Sequence, residues 1–130
     1  MRDFVFGYIK KKYNVSPDYP WMKYDDNAVF RHSDNRKWFA LVMGVRKDKL
    51  GLSGEGYVDV MNLKVDDMFL REMLTQQDGI MPAYHMNKQH WISVLLDGTV
   101  AEKKIFELID ISFAATASKK SQRKNSDIKK

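Results

Sequence analysis

The sequence predicts an α+β fold in which an antiparallel sheet of about five strands carries its helices on one face. Apolar residues recur at helical spacing near both ends of the folded part, and apolar runs of strand-like composition lie between them. Turn residues such as asparagine, aspartate and glycine separate these runs. The predicted order is one helix, three strands, a second helix, two strands and a third helix, with no internal repeat.

The first half of the chain opens with a helix. Apolar side chains at roughly helical spacing predict it over residues 2–13, and two prolines indicate a loop over residues 14–20. Residues 28–32 are predicted to form a short strand. Residues 38–45 are apolar on both faces, a pattern that is typical of a strand inside a sheet.

The second half adds the remaining elements. A polar loop with three glycines over residues 46–56 leads to a third strand over residues 57–63. A helix is expected to begin near Asp66 and to end before the next glycine, a residue that suits a helix C-cap. Thr99 has a glutamate three residues later, which is the pattern of a capping box. The amphipathic run that follows predicts the last helix as far as residue 117.

The stretch from Gly79 to Trp91 is the most informative segment, since it holds two of the three histidines among mixed aromatic and polar residues. It predicts two short strands joined by a turn near Asn87 and Lys88, because asparagine tolerates the left-handed backbone of tight turns. A two-residue turn would place three pairs of side chains opposite each other: Met86 with Gln89, His85 with His90, and Tyr84 with Trp91.

Length and composition predict a single soluble domain. The 130 residues are 44% hydrophobic, and charged residues interrupt every apolar stretch before it reaches the length of a membrane span. No signal-peptide pattern opens the sequence, so we expect a cytoplasmic protein with no membrane partner. The sequence contains no cysteine, which excludes disulfides, thiolate catalysis and cysteine-based metal centres.

The net charge of +5 belongs to the end of the chain. Residues 119–130 hold six basic side chains and one acidic side chain, whereas basic and acidic groups balance over residues 1–118. We therefore expect a folded domain over residues 1–118 and a basic, disordered tail over residues 119–130. Such a tail adds sequence-independent attraction to nucleic acids, although a solvated terminus without a partner explains the same composition.

No group of residues predicts catalysis, a cofactor or a metal site. The sequence has no Gly-x-Ser-x-Gly elbow, no Ser/His/Asp arrangement and no glycine-rich phosphate loop before a helix. His85 and His90 would share a metal ion only if the hairpin brought them together, and two imidazoles without a carboxylate make a poor site. We interpret His32, at the end of a strand, as a surface or capping residue.

Five short motifs occur in order along the chain. They are Tyr19-Pro20-Trp21, Lys37-Trp38-Phe39-Ala40, Asn62-Leu63-Lys64, the block from Pro82 to Trp91, and Ile109-Asp110-Ile111-Ser112-Phe113. Together they resemble the MmcQ/YjbR family of small bacterial proteins over most of residues 1–115. The resemblance implies a fold similar to that of the CyaY/frataxin group. It also implies DNA binding through exposed sheet and hairpin surfaces in a double-wing arrangement, an inference from fold alone.

Six side chains on or beside the hairpin are predicted to contact nucleic acid. They are Lys64, His85, Asn87, Lys88, His90 and Trp91. The lysines would contact phosphate and Trp91 would stack on a base, so we expect weak, salt-dependent DNA binding without catalysis.

The alternative function is a protein- or small-molecule-binding module whose cleft is formed by Trp21, Tyr84 and Trp91. A purely structural role also explains several of these residues. Trp91 would then pack against Tyr84 within the hairpin, and Lys64 and Lys88 would be ordinary surface lysines.

Overall fold

The computed structural model describes residues 2–21 and 26–118, and the predicted basic tail, residues 119–130, lies outside the described residues. The helices are α1 (Asp3–Tyr13), α2 (Met68–Leu74) and α3 (Glu102–Thr116). The strands are β1 (Ala28–Arg31), β2 (Trp38–Arg46), β3 (Tyr57–Lys64), β4 (Ile80–Pro82) and β5 (Trp91–Leu95). A 3-10 helix, Lys47–Leu50, follows β2 directly. In this part of the chain, no helix is both long and apolar enough to cross a bilayer.

The strands form one antiparallel sheet in the order β1-β2-β3-β5-β4. The apolar sides of α1 and α3 pack on one face of this sheet, which we call the helix face. The largest buried side chains there include Phe30, Phe39, Leu63, Ile92 and Ile109. β2 is an interior strand with side chains buried on both faces, as its sequence predicts. The predicted α+β fold is therefore confirmed.

Buried polar groups fix α3 to the sheet. Ser112 donates a hydrogen bond to the Phe39 carbonyl (2.5 Å) and accepts one from the Lys64 amide (2.8 Å). Near the end of α3, His32 Nε2 lies 2.8 Å from Thr116 Oγ1. These hydrogen bonds satisfy polar groups that would otherwise be buried without a partner. They therefore set the position of α3 over the start of β2.

One carboxylate joins α1 to α3. Asp110 accepts hydrogen bonds from Tyr13 (2.6 Å), Tyr8 (2.8 Å) and the Lys12 ammonium (2.8 Å), and each tyrosine ring stacks on a phenylalanine of α3. Burial on its own would raise the pKa of Asp110. The hydrogen bonds from Lys12 and the two tyrosines outweigh burial and hold this pKa below its usual range.

Two local predictions are wrong. His32 is only 4% exposed, because its ring packs against Phe39 and Phe113 under the end of α3 instead of facing water. The capping box is also absent, since α3 begins at Glu102 and its N-cap residue makes no side-chain cap bond. The Thr99 amide instead donates to the side chain of the preceding turn aspartate, a local bond that competes with a cap.

His32 predicts how stability depends on pH. Burial lowers the pKa of His32 below its ordinary value of 6.5, because desolvation disfavours the imidazolium; the nearby charge of Asp34 opposes this shift without reversing it. The folded state therefore favours neutral His32. This stabilisation is fully present above pH 6.5 and is lost as the pH falls through the lowered pKa.

The variant His32→Gln keeps a polar group near Thr116 but cannot titrate. Its free energy of unfolding should therefore fall less steeply than that of the wild type as the pH is lowered below 6.5. Urea denaturation at a series of pH values measures both slopes. Equal slopes for the two proteins would contradict the assignment of His32 as a buried neutral imidazole.

Candidate functional site

The second face of the sheet is covered in part by two loops. A separate buried cluster lies on this face, and its members are Val29, Leu41, Met43, Val45, Val58, Val60 and Leu95. Residues 47–56, which we call loop A, contribute Leu50 and Leu52 to it, and residues 83–90, which we call loop B, contribute Tyr84 and Met86. We call this side of the sheet the loop face.

A buried triangle of hydrogen bonds holds loop B to the sheet. Ser93 Oγ donates to Asn62 Oδ1 (2.5 Å) and accepts from the Tyr84 amide (2.8 Å), and Asn62 Nδ2 donates to the Tyr84 carbonyl (2.8 Å). Asn62 and Ser93 face each other across β3 and β5 and are both fully buried. Sequence reasoning missed Ser93, and the available signal was a polar residue in the middle of each of two apolar strands.

The predicted hairpin is right in its pairing and wrong in its turn. β4 and β5 are adjacent and antiparallel, with Pro82 opposite Ile92. The connection between them is the whole of residues 83–90, because the triangle draws Tyr84 over β5 towards β3. The chain then returns through a turn at Asn87, whose carbonyl accepts hydrogen bonds from the amides of residues 90 and 91.

This longer connection separates side chains that a tight turn would pair. The His85 ring lies 4.0 Å from the Tyr84 ring, centroid to centroid, whereas His90 Nδ1 lies 3.1 Å from Asp66 Oδ1. Tyr84 and Trp91 both lie on the loop face, but the aromatic contacts among the described residues include none between these two rings. The structure therefore assigns the two histidines to different parts of the surface.

Aromatic and basic side chains form a row across the loop face, at the end of the sheet where β2 and β5 begin. Arg31 is opposite Trp38, and Lys64 is opposite Trp91. These two pairs lie just beyond Ala40 and Leu63, the last pair between β2 and β3 at this end of the sheet. The Arg31 guanidinium lies 5.3 Å from the centre of the Trp38 ring, and Trp21 contacts that ring edge-on at 5.6 Å. We call Arg31, Trp38, Lys64 and Trp91 the aromatic–basic row.

The charges near this row are partly compensated. Arg31 forms an ion pair with Asp18 at 2.9 Å. Lys64 and Lys88 have no ion-pair partner among the residues that the structure describes, and Lys88 is exposed at the turn of loop B. The Asn87 side chain accepts a hydrogen bond from the backbone of that same turn. The lysines are thus available to a phosphate, while Asn87 shapes the loop that carries one of them.

A cleft of about 670 Å³ lies at the opposite end of the loop face, between loops A and B. Its lining includes Asp26, Met43, Arg46, Lys49, Tyr57, Tyr84 and His85. Of the three aromatic residues predicted to share a cleft, only Tyr84 lines this one, because Trp21 packs on Trp38 and Trp91 belongs to the row. His85 has a left-handed backbone (φ 61°), which is uncommon for a residue other than glycine.

The comparisons with known proteins agree with this architecture. The family model described as YjbR matches residues 10–115. The chain belongs to the MmcQ/YjbR family. The match includes loop B, the triangle and the aromatic–basic row, so the site lies within the family domain. The predicted resemblance is thereby confirmed.

Several known proteins are similar to this chain over most of its length. The uncharacterized protein YyaQ of Bacillus subtilis (strain 168) is 45% identical over 115 residues, which are 88% of this chain and 97% of YyaQ. A crystal structure of a Pseudomonas syringae protein superposes with a TM-score of 0.87 at 50% identity and covers 90% of this chain and 99% of that chain. A Deinococcus radiodurans protein with the domain DUF419 gives a TM-score of 0.70 at 28% identity, over 95% of this chain and 85% of that chain.

The backbone of His85 leads to a stability prediction. His85→Gly and His85→Ala both remove the imidazole and lose the same contact with Tyr84, so they differ only in the backbone. Alanine keeps the penalty of the left-handed conformation and glycine does not, so His85→Gly should be the more stable variant by about 1 kcal/mol. Urea denaturation measures the difference.

The matched control for this comparison is Gln89, an exposed loop B residue whose φ is not positive. At that position the alanine variant should be at least as stable as the glycine variant, because glycine has the larger backbone entropy to lose. The same order at both positions would contradict a left-handed His85.

Proposed function

We propose that this chain is a non-catalytic nucleic-acid-binding protein that uses the aromatic–basic row on the loop face. The observation that supports the proposal is that two pairs, Arg31 with Trp38 and Lys64 with Trp91, each place a cation opposite an indole at one end of the sheet. An indole presents a flat face on which an unpaired base can stack, and a neighbouring cation can contact the phosphate beside that base. The bases of a duplex already stack on each other, so the row favours single strands.

Loop B would extend this surface. Lys88 is exposed at the turn that leads into Trp91, where it would add a phosphate contact beside the stacked base. In a double-wing arrangement, as the family resemblance implies, loops A and B would be the two wings. His90 is already bonded to Asp66, so a direct contact from His90 to phosphate requires that bond to break.

The affinity of the folded domain should be weak and dependent on salt. Basic and acidic groups balance over residues 1–118, and Arg31 already has Asp18 as a partner. Phosphate contacts therefore depend on few cations, chiefly Lys64 and Lys88. The basic residues 119–130 would add attraction that does not depend on sequence, and an experiment must separate the two contributions.

Two variants test the row, with fluorescence anisotropy of labelled oligothymidine as the measurement. Lys64→Ala should weaken binding and reduce the slope of log affinity against log salt by about one, because one phosphate contact is lost. Trp91→Leu keeps an apolar side chain but removes the stacking face. It should weaken single-strand binding by roughly 1–3 kcal/mol and duplex binding less.

Lys103→Ala is the matched control, since Lys103 is exposed on α3, on the other side of the sheet. This variant should leave affinity and salt slope unchanged. The proposal is wrong if a chain ending at residue 118 binds no oligothymidine at low salt while a peptide of residues 119–130 reproduces the full affinity. It is also wrong if Lys103→Ala and Lys64→Ala have equal effects.

A further inference from the structure

We propose that the cleft between loops A and B is a second site, which binds a planar aromatic molecule carrying one phosphate or carboxylate group. The cleft of about 670 Å³ lies within the range of about 300–1,000 Å³ that is typical of small-molecule sites. Its apolar floor is formed by Met43 and Val45 of β2. The cleft shares no residue with the aromatic–basic row and lies at the opposite end of the sheet.

Aromatic side chains on one wall make the cleft suited to a flat ring. Tyr84 and His85 form one wall, with their ring centroids 4.0 Å apart. Tyr57 also lines the cleft, but its ring does not oppose this wall. Strand alternation turns Tyr57 to the helix face, since Val58 beside it faces the loops. His85 also adopts a left-handed backbone, and strain of this kind is concentrated at ligand-binding positions.

Two cations at the edge of the cleft select for an anion. Asp48 accepts hydrogen bonds from Arg46 Nε (3.1 Å) and Nη2 (2.6 Å), which fixes the guanidinium and compensates part of its charge. Lys49 has no ion-pair partner within the described ranges, 2–21 and 26–118, and its side chain is exposed beside the cleft. Lys49 is therefore the side chain best placed to bind the anionic group.

Asp26 also lines the cleft, but its carboxylate lies on the helix face of β2. A Cβ added at Gly44 would be 3.1 Å from Asp26 Oδ2, and strand alternation turns that Cβ to the helix face, away from the floor of the cleft. Arg2 donates to the Asp26 carbonyl and so fixes this residue beside the cleft. Asp26 is therefore no partner for a ring held against Tyr84 and His85.

The test is a titration of the full-length, ¹⁵N-labelled chain, followed by amide chemical shifts. The probes are adenosine 5′-monophosphate and 4-hydroxybenzoate, which supply the phosphate and the carboxylate on aromatic ring systems. At least one of them should give saturable shifts at Met43, Val45, Lys49 and His85 in the millimolar range or below. Adenosine and inorganic phosphate, which lack the anion and the ring respectively, should each bind about tenfold more weakly.

Variants identify the groups that bind. Lys49→Ala and His85→Gly change exposed side chains, and each should weaken binding of the successful probe about tenfold. Lys47→Ala is the matched control, because Lys47 lies in the same 3-10 helix but does not line the cleft. This control should leave the affinity unchanged.

Three results would overturn the proposal. They are the absence of saturable shifts with both probes, shifts centred on Lys64 and Trp91 instead of the cleft, and equal binding of adenosine and its monophosphate. Since oligothymidine binding tests the row and this titration tests the cleft, failure at one site is distinguishable from failure at the other.

Discussion

The hydrogen-bonded triangle of Asn62, Ser93 and Tyr84 determines the form of the loop face. Asn62 and Ser93 are fully buried on neighbouring strands. The Asn62 amide and the Ser93 hydroxyl must therefore find hydrogen-bond partners inside the protein. The backbone of Tyr84 supplies both a donor and an acceptor, so loop B must fold down over β5 and β3. A buried polar group without its partner costs about 1–3 kcal/mol, which gives this arrangement a clear preference over a free hairpin.

The position of loop B in turn defines the two candidate sites. Because Tyr84 is fixed over the middle of the sheet, His85 extends towards the free part of β2 and completes the cleft with loop A. The returning half of the loop places Lys88 before Trp91, beside the aromatic–basic row. On the helix face, Ser112 has a comparable role, since it bonds both β2 and β3 and fixes α3. Each face of the sheet is thus organised by a few buried polar residues.

The elements that local patterns determine could be predicted from the sequence. The apolar spacing of α1, the two apolar faces of β2 and the motif block from Pro82 to Trp91 indicated the fold and the family. Features that depend on distant partners could not be predicted. Asn62 bonds a residue 22 positions away, and His32 bonds Thr116, 84 positions away, so no local pattern shows which partners these side chains have. The row is likewise a product of strand register, which the sequence does not display.

The exchange rate of the Tyr84 amide proton tests the role of the triangle most directly. This amide lies in a loop but donates to the buried Ser93 hydroxyl, so it should exchange as slowly as amides inside β5, such as that of Val94. Ser93→Ala should accelerate exchange at Tyr84 much more than at Val94, because the acceptor is lost while the strand pairing remains. Exchange of the wild-type Tyr84 amide as fast as that of Lys88, at the exposed turn, would contradict the account.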